Sequence, residues 1–109
     1  MTGEQLKLLS KMKRLINEGH RRFANRNDRD HVQELAEIGI TESKAWQEIL
    51  ALTIKDYYYD SKPFYRKKSD DALTFKKNIN GECVYIKLKI ELYNDNETTV
   101  CLSFHIDHR

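Results

Sequence analysis

Hydrophobic and polar positions alternate strictly in two runs near the C-terminal end of the chain, residues 83–90 and 100–106. In the first, Val84, Ile86, Leu88 and Ile90 alternate with Tyr85, Lys87 and Lys89. In the second, Val100, Leu102, Phe104 and Ile106 alternate with Ser103 and His105. Strand side chains change face at every residue, so each run predicts a strand with one face on a core and the other outward. Between them, Tyr93-Asn94-Asp95-Asn96-Glu97 is rich in turn formers and predicts a hairpin. Centred near Asp95, that hairpin sets Tyr85 across from His105 and Lys87 across from Ser103. A slip of two residues keeps the faces and brings Lys87 to His105. Either register gathers a tyrosine, a lysine and a histidine on one polar sheet surface.

Upstream the period changes from two to about 3.6. Leu8, Leu9, Met12, Leu15 and Ile16 predict an amphipathic helix over residues 4–18, stopped at Gly19, with Lys7, Lys11 and Arg14 solvated. Residues 20–26 have no helical period and suit a short strand or arm. Asn27 or Asp28 is placed to cap a second helix that turns Val32, Leu35 and Ala36 inward and ends at Gly39. Thr41 caps a third, with Ala45, Trp46, Ile49 and Leu50 facing a core. Thr53-Ile54-Lys55-Asp56 has capping spacing for a further helical turn. It leads into Tyr57-Tyr58-Tyr59 and then a polar, basic loop over 60–71 containing Pro63. Residues 72–76 read as a strand, and Asn80-Gly81 is a strong turn signal. Helices first and a meander of strands afterwards predict an α+β fold: N-terminal helices packed on one face of a small antiparallel sheet, all within a single domain, residues 1–109.

Composition adds two points. Net charge is only +2, yet it is segregated: residues 1–31 and 57–90 are each net +4, whereas 32–56 and 91–109 are each net −3. A basic surface built from the first and third segments would attract nucleic acid through counterion release. The two cysteines, Cys83 and Cys101, fall on neighbouring strands but about six positions out of register, too far for a disulfide. With no signal-peptide pattern and no apolar stretch of spanning length, a cytoplasmic chain with free thiols and no membrane partner is expected.

The candidate chemistry is metal-free and cofactor-free. His20, His31, His105 and His108 lack metal-ligand spacing, and no phosphate loop, nucleophile elbow or dinucleotide fingerprint is present. RNA brings its own nucleophile, the 2′-hydroxyl. Cleaving it requires a base for that proton, an acid for the leaving 5′-oxygen and cations on the phosphate. Histidine suits acid or base work near neutral pH, lysine supplies charge, and tyrosine donates a hydrogen bond or stacks on a base. His105, Tyr85, Lys87 and Lys76 are residues of these types. Two other readings remain open: an RNA-binding module without catalysis, using the same face as a stacking platform, and a protein-interaction domain with 57–71 as its docking loop.

Several segments together resemble the MqsR family of bacterial toxins. They are Ala45-Trp46-Gln47-Glu48-Ile49-Leu50-Ala51-Leu52-Thr53 followed by Asp56-Tyr57-Tyr58, then residues 79–90, Val100-Cys101-Leu102-Ser103-Phe104-His105 and the opening helix at 12–19. The resemblance rests on their order and spacing, from about residue 8 to 106. It implies a RelE-like ribonuclease fold and metal-independent, sequence-preferring endonucleolytic cleavage of mRNA. It also implies a cognate antitoxin with a zinc-binding domain and a helix-turn-helix domain, through which alone the toxin would touch DNA. The family's tyrosine on the penultimate strand falls on Tyr85, with a lysine at Lys87. A lysine of the last strand becomes His105, another after the Asp-aromatic-Tyr motif becomes Tyr59, and a glutamine lines up with Lys76. The site thus matches in location more than in identity, a pattern compatible with retuned chemistry or with an inactive toxin homologue.

Overall fold

Local signals set the helix ends. A computed structural model of the chain describes residues 1–24, 30–58 and 72–107. Helix α1 (Gly3–Asn17) begins in a capping box. The Thr2 hydroxyl accepts from the Gln5 N–H at 3.1 Å, and the Gln5 side chain accepts from the Thr2 N–H at 2.9 Å. Helix α2 (His31–Ile38) is capped by Asp30, whose carboxylate accepts from the Val32 N–H at 3.0 Å. The cap therefore lies beyond Asn27 and Asp28, both outside the described residues. Gly39, at φ 86°, ends α2 in the left-handed conformation that glycine adopts without a Cβ clash. Thr41 caps α3 (Glu42–Leu50), as expected. A 3-10 turn (Ile54–Asp56) follows, its Asp56 carboxylate accepting from the Thr53 N–H.

Strand β1 (Arg21–Phe23) occupies the segment without helical period. The remaining strands are β2 (Leu73–Ile79), β3 (Glu82–Tyr93) and β4 (Asn96–Ile106). Their spatial order is β1-β4-β3-β2. β2, β3 and β4 form the expected antiparallel meander, but β1 pairs parallel to β4, so the sheet is mixed rather than antiparallel throughout. Asn80 and Gly81 both have positive φ, as do Asn94 and Asp95, and each pair forms the two-residue turn that matches strand twist.

The three helices pack on one face of the sheet. Their Leu9, Met12, Ile16, Leu35, Ile38, Trp46 and Ile49 meet Leu73, Phe75, Ile79, Val84, Ile86, Leu88 and Phe104 in one core. Thr99 is also buried, and its hydroxyl donates to the Met12 carbonyl at 2.9 Å, fastening α1 to β4. Two inward assignments are corrected. Val32 is 59% exposed and Ala36 is exposed as well; α2 buries Leu35 and Ile38 instead. On β4 the alternation breaks at a bulge, because Lys87 pairs with Ser103 but Leu88 pairs with Cys101, leaving Leu102 as the extra residue. Cys101 therefore faces the core with Leu88, while Val100 lies on the opposite face beside Lys89 and Arg22. The Cys101 thiol donates to the Ser103 carbonyl across the bulge at 3.3 Å. Neither cysteine forms a disulfide; Cys83 is exposed and Cys101 buried.

Candidate active site

The sheet face away from the helices displays the alternate residues of each strand. From β2 these are Thr74, Lys76 and Asn78; from β3, Tyr85, Lys87, Lys89, Glu91 and Tyr93. Lys76 is the cross-strand partner of Tyr85, and Tyr85 is the partner of His105. The three form one row across β2, β3 and β4. The next row is Thr74, Lys87 and Ser103. Of the two registers open at the sequence level, the structure has the one that pairs Tyr85 with His105.

Within the first row the contacts are specific. The Tyr85 and His105 rings stack with centroids 5.4 Å apart and an interplanar angle of 20°. His105 Nδ1 lies 2.9 Å from the Ile106 carbonyl. A carbonyl oxygen only accepts, so Nδ1 carries the hydrogen in the neutral ring and Nε2 presents a lone pair. This tautomer makes Nε2 the basic atom of the site.

The Lys76 ammonium forms an ion pair with Asp107 at 2.8 Å, both side chains being largely buried. It also lies 4.0 Å from the centre of the Tyr58 ring. Backbone pairing builds this corner. Tyr57 bridges Phe75, the Tyr58 N–H donates to the Thr74 carbonyl, and the Asp107 N–H donates to the Cys83 carbonyl. Tyr58 and Asp107 were not among the residues singled out from the sequence. Tyr58 was hidden in a run of three tyrosines, and Asp107 lies 31 positions from Lys76, beyond the reach of any local spacing rule.

Of the residues singled out, Lys76, Tyr85, Lys87 and His105 are thus brought to one face. Tyr59 lies outside the described residues, as do the 60–71 segment and His108. Among the described residues, no group of three or more His, Cys, Asp or Glu stands together in a metal-binding arrangement. No helix among them is long and apolar enough to cross a membrane.

The face can do three things chemically. His105 Nε2 can accept a proton, Lys76 and Lys87 can balance negative charge, and the Tyr85 phenol can donate a hydrogen bond. The chain matches no family model, no curated protein and no solved structure.

Proposed function

We propose that this chain is a metal-independent endoribonuclease acting on single-stranded mRNA, and that it is the toxin of a toxin–antitoxin pair of the MqsR kind. The observation that supports the reading best is the row Lys76–Tyr85–His105, with Lys87 beside it, on a sheet face that the helices leave open. In this reading His105 Nε2 takes the proton of the 2′-hydroxyl as that oxygen attacks the adjacent phosphorus. The charge that develops on the phosphate oxygens meets Lys76 and Lys87. The Tyr85 phenol and the Lys87 ammonium are the donors for phosphate oxygens and for the departing 5′-oxygen. The P–O5′ bond breaks, leaving a 2′,3′-cyclic phosphate on one fragment and a 5′-hydroxyl on the other.

The test is incubation of the purified chain with a long single-stranded RNA in EDTA, with the new ends mapped. Discrete cuts ending in 2′,3′-cyclic phosphate are expected. RNA that is bound in a salt-sensitive manner yet stays intact would replace catalysis with the binding-module reading, which the Tyr85–His105 stack also suits. The toxin part predicts a neighbouring gene for a small protein with paired Cys-x-x-Cys motifs and a helix-turn-helix, whose product binds this chain and stops cleavage. Failure of that product to bind would remove the toxin assignment and leave the nuclease.

A further inference from the structure

Far from the Lys76–Tyr85–His105 row, the open face ends in a cleft of about 260 Å³ between the α1–β1 connection and the β3–β4 turn. Its polar walls include His20, Arg22, Tyr93, Asn94 and Asn96. The Arg22 guanidinium lies over the Tyr93 ring, 4.8 Å from its centre, and Tyr93 remains 51% exposed. Arg22 has no carboxylate partner among the described residues. Neighbouring acids are partly accounted for: Glu97 is taken by Lys11 at 2.7 Å, whereas Glu91 shares the open face two residues before Tyr93.

A planar cation stacked on an exposed aromatic ring, flanked by amide side chains, matches the chemistry of a nucleotide. The ring and guanidinium offer faces to a base, the guanidinium offers donors to a phosphate, and the asparagines offer donors and acceptors to base edges. The cleft and the candidate active site lie on the same face of the sheet. Tyr85 and Tyr93 lie on the same face of β3, eight residues apart, or about 26 Å at the usual strand rise. Lys87 and Lys89 lie on that face between them.

We infer that the Arg22–Tyr93 cleft is a second nucleotide subsite, which holds the same single-stranded RNA several nucleotides away from the bond placed at His105. The inference rests on the ribonuclease reading and adds where the strand runs. An RNA laid along β3 would pass the Lys87–Lys89 ridge and stack one base in the cleft. With Glu91 nearby, stacking contributes more there than charge does.

The test uses His105→Ala protein, so that RNA stays intact, and fluorescence anisotropy with labelled single-stranded RNAs of increasing length at low salt. Affinity is expected to rise with length and then step up once the strand reaches the cleft. Arg22→Gln and Tyr93→Ala should each lose about tenfold in affinity for the long RNAs, the size typical of one base–aromatic stack, and leave the shortest RNA unchanged. Arg22→Lys should restore the salt dependence that Arg22→Gln loses, a change of about 0.7 in the log–log slope for one phosphate, without restoring the full affinity. Circular dichroism of each variant separates misfolding from lost contact. Equal affinity of the His105→Ala parent and both cleft variants made in it, for every length, would overturn the subsite while leaving the ribonuclease reading standing. Absence of RNA binding at any length by the folded parent would overturn both.

Discussion

The two faces of the sheet are made by the same strands and obey different rules. On the helix face, Phe75, Ile86 and Leu88 are fully buried and meet residues from three helices. Each of these positions is specified by volume, because interiors are packed as tightly as organic crystals. On the open face, Lys76, Tyr85 and His105 stand in a row one residue out of phase with that core. Their positions are specified by polar contacts: an ion pair, a ring stack and one hydrogen bond. Period-two geometry therefore lets the candidate chemistry change without touching the core. The bulge at Leu102 is where the two faces are joined, since there one extra residue exchanges which parity of β4 faces inward.

Phe75→Ala tests the helix face alone. Removing a fully buried aromatic ring should cost about 3–5 kcal/mol. At about 4–8 °C per kcal/mol for a domain near this size, the thermal midpoint should fall by well over 10 °C. Urea denaturation gives the free energy directly, and a loss under 1 kcal/mol would mean the core repacks around the gap.

Asp107→Asn sharpens the open face. The substitution keeps the shape but removes the charge that holds the Lys76 ammonium. Cleavage is expected to slow about tenfold in kcat through misplacement of Lys76, with a measurable loss of stability because the largely buried ammonium loses its counter-charge. Unchanged kcat would reduce Asp107 to a bystander.

The smallest effect concerns Glu48, at the edge of the helix face. Lys77 lies 2.8 Å from one carboxylate oxygen and Lys44 3.4 Å from the other. The hydrogen bond from Lys77 lowers the Glu48 pKa below the ordinary carboxylate value, against the opposing effect of burial. A folded-state pKa below the unfolded one means that the ion pair stabilises the fold above the unfolded carboxyl pKa. That contribution disappears as pH falls through the folded pKa. Glu48→Gln should therefore cost up to about 1 kcal/mol at pH 7 and almost nothing in acid. A cost that does not change between pH 7 and strong acid would contradict the assignment.

Much of this was legible in the chain, for physical reasons that differ by residue. Val84 to Ile90 alternate without interruption, so the two faces of β3 could be read directly. Asn80-Gly81 announced its turn because both residues tolerate positive φ. The Tyr85–His105 pairing was read from a hairpin centred near Asp95, although the turn is Asn94-Asp95 and the extra residue at Leu102 makes up the difference. That bulge was not legible: Val100, Cys101 and Leu102 are all apolar, so period two looked unbroken. Val32 and Ala36 were misread because α2 is only eight residues long and buries just two of them. The parallel pairing of β1 was hidden because three residues are too few to show a period. Lys76–Asp107 depends on chain folding over a distance that no local pattern spans.

If the open face holds the chemistry and the helix face the fold, His105→Ala separates the two when RNA cleavage in EDTA and the thermal midpoint are measured on the same preparation. A loss of about 10²–10⁴-fold in cleavage rate is expected, with a midpoint within a few degrees of wild type. Cleavage at the wild-type rate by the folded variant would contradict the placement of the chemistry at His105.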